Sequence, residues 1–163
     1  MYKINDYLIY KKDVCKIVDI KTDSNNISYY VLVLVDDSSL TIKIPIENSF
    51  NIRDLISKDE AYNLINNILN IEPIKDINDK NIENTYKELL KTGKHEDLIK
   101  IIKTTYLRNK NRIDNKKKLG DKDTDYFNKA ERYLYNELAI VLNMSYDEVK
   151  EYILNRVLYL ENN

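Results

Sequence analysis

The stretch of sequence that decides the fold reads Leu40-Thr41-Ile42-Lys43-Ile44-Pro45. Apolar and polar residues alternate strictly in it, which predicts a β-strand with Thr41 and Lys43 on one face. Three further apolar or β-branched runs precede it, at residues 7–10, 14–20 and 27–35. Four or five short strands of this kind predict a small barrel or a strongly bent sheet.

Turn-forming residues separate these runs. Residues 23–26 read Asp-Ser-Asn-Asn and suit a hairpin, because Asn and Asp tolerate a positive φ. Residues 36–39 read Asp-Asp-Ser-Ser and predict a second tight turn.

Helical patterns replace the strand pattern after Pro45. Ser57 and Glu60 form a capping box for a first helix, and Ser145 and Glu148 form another for the last helix, which ends near residue 160. Gly93 is suited to end a second helix at residues 82–91. The remaining elements are a helix at 96–112, a polar loop at 115–125 and a helix at 126–142. The sequence therefore predicts an α+β protein: a β domain at residues 1–52 followed by an all-α domain of about five helices at residues 53–163.

Two amphipathic patterns carry specific packing expectations. The first helix has apolar residues at helical spacing, and the third has a predicted buried side. The residues are Ala61, Leu64, Ile65, Ile68 and Leu69 in the first, and Leu98, Ile99, Ile101, Ile102, Thr105 and Tyr106 in the third.

The composition argues against an enzyme, a metal site and a membrane protein. The chain has one Cys, one His and two Gly, which excludes a disulfide scaffold, a zinc ribbon and a Gly-rich phosphate loop. Cys15 lies in an apolar strand and His95 at a helix start, so we expect a buried thiol and a surface imidazole. The longest apolar run is far shorter than a membrane span, and no basic-then-apolar leader precedes it. We expect a cytoplasmic, monomeric protein without a cofactor.

The charge is balanced overall but unevenly distributed. The formal net charge is −1, yet residues 100–122 hold nine basic and two acidic residues, a local net charge of +7. Lys116, Lys117 and Lys118 lie at its centre. Such a patch attracts phosphate, and it is also compatible with a solvated helix face.

Four stretches, in order, resemble the CarD/CdnL family of bacterial transcription regulators. The most specific is residues 40–48, Leu-Thr-Ile-Lys-Ile-Pro-Ile-Glu-Asn, followed by Ile52-Arg53. The others are residues 2–10 with 14–20, the Tyr29-Tyr30-Val31-Leu32 strand, and residues 130–139 with Ala-Glu-Arg-Tyr-Leu and Asn-Glu-Leu-Ala. The resemblance implies a Tudor-like or SH3-like polymerase-interacting domain followed by a helical DNA-contacting domain.

The chain departs from the family pattern at two kinds of position. Asn5 stands where the family usually has Gly, and Asn can take the left-handed backbone that Gly would serve. Many relatives carry a Trp wedge at the start of the second helix. This chain has no Trp, and Ile82 occupies that position.

The resemblance implies two contact surfaces. Thr41, Lys43 and Pro45 would border the contact with the RNA polymerase β subunit, reached by strand addition. Promoter DNA would be contacted by Ile82, Tyr86 and Lys87, with Ile82 as an apolar wedge. The charge pattern separately predicts weak DNA binding without sequence preference, with phosphate contacts from Lys116, Lys117 and Lys118. The implied function is non-enzymatic control of open-complex stability, with nucleoid association through the polymerase.

Three alternatives stay open at this point. The protein could be a polymerase-binding adaptor or antagonist without DNA contact. It could be a reduced relative of the transcription-repair coupling factor, although no helicase motif is present. It could also be a general Tudor-like protein-binding domain with a helical appendage.

Overall fold

The computed structural model describes residues 1–47, 49–75 and 78–163. It divides the chain into two compact units, Met1–Ile56 and Ser57–Asn163. Asn48 of the family-like stretch and Asp76 and Ile77 of the linker before the second helix lie outside the described residues.

The first unit is a five-stranded antiparallel sheet in the order β4-β3-β2-β1-β5. Consecutive strands from β1 to β4 pair with each other, and β5 returns to pair with β1. The strands are β1 (Tyr7–Tyr10), β2 (Asp13–Thr22), β3 (Ser28–Leu34), β4 (Asp37–Pro45) and β5 (Ile52–Arg53).

One face of this sheet carries the core of the first unit. Its buried members are Leu8, Cys15, Ile17, Tyr30, Leu32, Leu34 and Ile44. Cys15 is fully buried, as predicted. Asn5 adopts a φ of 77°, the left-handed conformation expected for it.

The first predicted turn is confirmed and the second is displaced. Asp23 Oδ1 accepts hydrogen bonds from the backbone N–H groups of Asn25 and Ile27, and Asn26 has a φ of 61°. The second turn occupies residues 35–36 instead of 36–39, because Leu34 already pairs with Asp37 at the start of β4.

The described residues of the second unit form five α-helices and one 3-10 turn. The helices are α1 (Lys58–Asn66), α2 (Ile82–Thr92), α3 (His95–Asp114), α4 (Asp121–Leu142) and α5 (Tyr146–Glu161), and the 3-10 turn covers Ile68–Asn70. The predicted α+β class, with a small β domain before about five helices, is therefore confirmed. None of the helices in the described ranges is long and apolar enough to cross a membrane.

The ends of these helices follow their local sequence. Both capping boxes are present, at Ser57 with Glu60 and at Ser145 with Glu148. Gly93 ends α2 with a φ of 66°, in the left-handed region.

Three details of the helical prediction are wrong. α1 ends at Asn66, so Ile68 and Leu69 belong to the 3-10 turn. The loop predicted at 115–125 is shorter because α4 already begins at Asp121, where acidic residues in the first turn favour a helix start.

The third error concerns Tyr106, which is 57% exposed although it was predicted to lie on the buried side of α3. Thr104, which was not predicted to be buried, lies in the interior, and Thr105 is buried as predicted. Their hydroxyls donate to the carbonyls of Lys100 and Ile101, both over 2.7 Å, which satisfies these polar groups inside the core.

Candidate functional site

The first candidate surface is the free edge of β4. β3 pairs along one side of β4, and no strand of the described chain pairs along the other. Thr41 and Lys43 are exposed and Pro45 is half-buried. Alternation along the strand places these three side chains on the face opposite to Ile42 and Ile44. The backbone of β4 can therefore accept a further strand while these side chains lie beside it.

Lys43 is available to a partner. It lies opposite Val31 in the β3–β4 pairing, and it forms no ion pair with any residue in the described ranges. An exposed ammonium at a strand edge also opposes uncontrolled pairing, because burying it without a partner is costly. A strand that adds here would need an acceptor or an acid near Lys43.

The start of α2 holds two of the predicted DNA-contacting side chains in the interior. Ile82 is 5% exposed and Tyr86 is fully buried. The Tyr86 ring packs against Tyr126 of α4, with ring centroids 5.3 Å apart. In this conformation neither side chain offers a surface to DNA, so the structure assigns both to packing of the helical unit.

Asp123, which is 2% exposed, is the centre of a buried polar cluster. The Tyr86 hydroxyl donates to Asp123 Oδ1 over 2.7 Å. Arg108 Nε and Arg112 Nη1 both donate to Oδ2, over 2.8 and 2.6 Å. Arg108 Nη2 also pairs with the exposed carboxylate of Asp79 over 3.0 Å. The cluster ties α2, α3 and α4 together.

Burial and hydrogen bonding act in opposite directions on this carboxylate. Burial by itself would raise the pKa of Asp123, but the hydrogen bonds from Tyr86, Arg108 and Arg112 outweigh it and hold the pKa below its usual value. Burial, together with the hydrogen bond to Asp123, raises the pKa of Tyr86. The charged carboxylate and the neutral phenol are therefore the stable pair.

Gly120, just before α4, makes room for this cluster. A Cβ atom added there would lie 2.6 Å from Cζ of Arg112, closer than real Cβ contacts allow. The Gly120 N–H also donates to Asn109 Oδ1 over 2.9 Å. The absence of a side chain at Gly120 thus lets the Arg112 guanidinium reach Asp123.

Lys87 lies on the exposed side of α2 in a small ion-pair group. Lys87 and Lys122 both approach Glu83, over 3.7 and 2.8 Å. The hydrogen bond from Lys122 lowers the pKa of Glu83 below its usual value. Lys87 remains largely exposed, with 62% of its side chain accessible, and is the one α2 residue of the predicted set that faces solvent.

Lys116, Lys117 and Lys118 leave the end of α3 as an exposed trio. Lys116 has a φ of 56°. Its N–H donates to the Ile113 carbonyl and the Lys117 N–H donates to the Arg112 carbonyl, the two bonds of a Schellman motif. The motif fixes the backbone of Lys116 and Lys117 and leaves their side chains in solvent.

The structure brings Lys117 together with residues that sequence reasoning did not single out. A polar depression of about 250 Å3 is lined by Asp79, Arg108, Asn111, Arg112, Asn115 and Lys117. The spacing of Arg108 and Arg112, four residues apart on one helix, was the available signal for their shared face. Their common partner, Asp123, follows only from the packing of α4.

His95 differs from its predicted role as a surface residue. Its Nε2 lies 2.8 Å from Glu137 Oε1, and Glu137 is only 1% exposed. The imidazole covers a buried carboxylate, which explains why it is drawn inward. No group of three or more potential metal ligands occurs among the described residues.

These helices correspond to a known protein family. A family model described as CarD, C-terminal domain, matches residues 67–154, more than half of the chain. The chain belongs to the CarD family. A search of curated proteins found no match.

The match places part of the candidate surface within the conserved domain of the CarD family, whose members are non-enzymatic transcription factors. Ile82, Tyr86 and Lys87 lie inside the matched range, as do residues 116–118. The β4 residues of this CarD-family protein lie outside it. The chain is therefore transcription-associated.

Proposed function

We propose that this protein is a non-enzymatic regulator that binds the RNA polymerase β subunit through its first unit and modulates promoter open complexes through its helical unit. The observation that carries the proposal is the free edge of β4, where Thr41, Lys43 and Pro45 share one face. Main-chain hydrogen bonds to an added strand would supply affinity, and these side chains would supply specificity. Membership in the CarD family supports the same reading.

Charge reversal at the β4 edge tests the polymerase contact. Lys43→Glu should weaken binding to the isolated β-subunit lobe in a calorimetric titration by about tenfold or more, because a rim charge that faces an acidic partner would become repulsive. Lys3→Glu is the matched control, since Lys3 is exposed and lies outside the sheet. Equal affinities for the two variants would remove the β4 edge from the interface.

The helical unit supports weak contact with DNA phosphates. Lys87 and residues 116–118 are exposed. Their ammonium groups can contact phosphates, but these lysines do not form a pattern of donors and acceptors that reads base edges. Contacts of this type hold DNA without reading its sequence and weaken as salt rises.

The salt dependence of binding measures those contacts directly. Each phosphate contact contributes about 0.9 to the slope of log K against log salt for duplex DNA. Replacing Lys116, Lys117 and Lys118 by Ala should flatten the slope by up to about 2.7, whereas Lys87→Ala should flatten it by about 0.9. A triple variant with the slope of the parent protein would place the DNA elsewhere.

A second function is favoured by the burial of Ile82. With the predicted wedge in the interior, the protein would act as a polymerase-binding adaptor or antagonist that does not touch DNA. In that case Lys43→Glu would abolish the effect on transcription, and the triple lysine variant would leave it unchanged.

A further inference from the structure

The helical unit exposes apolar side chains on one side. Two adjoining depressions of about 410 and 330 Å3 share Tyr106 of α3 and Phe127 of α4. Exposed apolar residues scattered singly are normal, but a contiguous patch marks a binding surface. We call these two depressions together the α3–α5 groove.

Helical periodicity explains why the patch is continuous. On α3, Tyr106, Leu107 and Ile113 are 57%, 50% and 60% exposed. Tyr106 and Ile113 are seven residues apart and lie on one face of the helix, and Leu107 widens that face. On α5, Leu154 is 60% exposed and lies one turn before Val157. The core buries Val149 and Ile153 of α5, so α5 has a second apolar face that the unit itself does not cover.

Four charged side chains line the groove, namely Lys103, Lys110, Lys150 and Glu161. Lys150 is already paired with Glu131 over 2.8 Å, so Lys103 and Lys110 supply the positive charge that a ligand can contact. Lys103 donates one hydrogen bond, over 2.6 Å, to the Ile71 carbonyl. Burial lowers the pKa of Lys103, while Glu161 acts in the opposite direction. An ammonium has three donors, so a further acceptor would stabilise its charged form. Lys110, two turns along α3, is exposed and forms no ion pair with the described residues.

The spacing of these cations defines a matching ligand. Seven residues of α3 span about 10 Å at 1.5 Å per residue, so two acids seven residues apart on a parallel or antiparallel helix would reach both ammonium groups. An apolar stripe on the ligand helix would pack against the apolar surface between Tyr106 and Leu154.

We propose that the α3–α5 groove docks an amphipathic helix of a partner protein, with its apolar face inward and carboxylates toward Lys103 and Lys110. This is helix-in-groove recognition, read through anchors at i, i+3, i+4 and i+7. None of the β4 residues Thr41, Lys43 and Pro45 and none of the lysines at residues 116–118 lines the groove. It therefore gives the protein a protein contact in addition to those under the proposed function.

A pair of synthetic helices tests the docking. One is an 18-residue amphipathic helix with Leu at i, i+3, i+4 and i+7 and Glu two turns apart, and the other carries Lys in place of both Glu. Binding to the full-length protein is followed by fluorescence anisotropy of the labelled peptide. We expect the acidic peptide to bind at least tenfold more tightly than the basic one, and Lys110→Glu to remove most of that preference, because Lys103 then remains the only one of the two cations.

A matched pair of substitutions checks the apolar floor. Leu107 and Leu40 are both 50% exposed, so neither change to Asp removes core packing. Leu107→Asp should weaken binding of the acidic peptide at least tenfold, and Leu40→Asp should leave it unchanged. The proposal is overturned if the two peptides bind equally or if Leu107→Asp has no effect. Self-association of the protein that Leu107→Asp abolishes would also overturn it, because the groove would then bind a second copy.

Discussion

Truncation of Ile82 distinguishes a core residue from a DNA wedge. Ile82→Ala removes three carbon atoms from a side chain that is 5% exposed. At about 0.8 kcal/mol per buried CH2, the lost burial lowers the free energy of unfolding by about 2.4 kcal/mol, without the contribution of a cavity. Cavity formation brings comparable core substitutions to about 2–5 kcal/mol. For a domain of about 100 residues, each 1 kcal/mol lowers Tm by about 4–8 °C, so a fall of roughly 10 °C or more is expected.

Thermal melts followed by circular dichroism measure this effect, with Ile113→Ala as the control. Ile113 is 60% exposed, and a surface truncation should stay within about 0.5 kcal/mol of the parent protein. Ile82→Trp should also destabilise, by about 1–3 kcal/mol, because the interior has no room for an indole.

Open-complex lifetimes, measured on the same variants at a temperature where all are folded, complete the test. Packing of Ile82 predicts that Ile82→Trp does not lengthen the lifetime. If Ile82→Ala melts like Ile113→Ala, or if Ile82→Trp keeps the parent stability and lengthens the lifetime, the side chain is a surface wedge and the reasoning from burial fails.

Three further predictions concern the polar cluster and the helix ends. Asp123 has a lowered pKa in the folded protein, so the stability it contributes is present above its unfolded pKa of about 3.9 and is lost as pH falls through the folded value. In denaturant titrations from pH 6 to pH 2, Asp123→Asn should therefore reduce the loss of unfolding free energy with falling pH. An unchanged loss would assign the acid sensitivity to other carboxylates. Gly120→Ala should cost about 1–3 kcal/mol by displacing the Arg112 guanidinium. In an Arg112→Ala background the same substitution should cost nothing further, and a full additional cost there would contradict that cause. Lys116→Gly should stabilise the protein by up to about 1 kcal/mol, because Lys116 holds a left-handed backbone, whereas Lys118→Gly should not; equal urea midpoints for both variants would contradict the argument.

Local signals in the sequence were sufficient for most of the fold. The capping boxes at Ser57 and Ser145 and the left-handed Gly93 act within one helical turn, so their effects can be read without knowing the tertiary structure. The same is true of the alternation in β4. The predictions were wrong where tertiary packing determines which side chains are buried. Tyr106 faces solvent, whereas Thr104, which was not predicted to be buried, lies in the core with its hydroxyl bonded to the Lys100 carbonyl.

The candidate site was less predictable than the fold. Exposure of Lys87 and of residues 116–118 could be expected from their charge. The buried Tyr86 hydroxyl is satisfied by Asp123, which is 37 residues beyond Tyr86 in the chain. No periodic pattern connects residues so far apart, and an acidic residue in a polar segment gives no sign that it will be enclosed by two arginines.

The return of β5 to β1 has a consequence for the order in which the first unit forms. The pairings among strands β1 to β4 join only neighbours in sequence, so each hairpin closes a short loop at low entropic cost. Pairing of Ile9 with Arg53 spans 44 residues and raises the contact order of the unit. During synthesis the meander can therefore assemble first, while β1 keeps an open edge until Arg53 is available. Hydrogen exchange on a chain cut before Ile52 should accordingly show protection lost first from β1, with the β2–β3 hairpin retained.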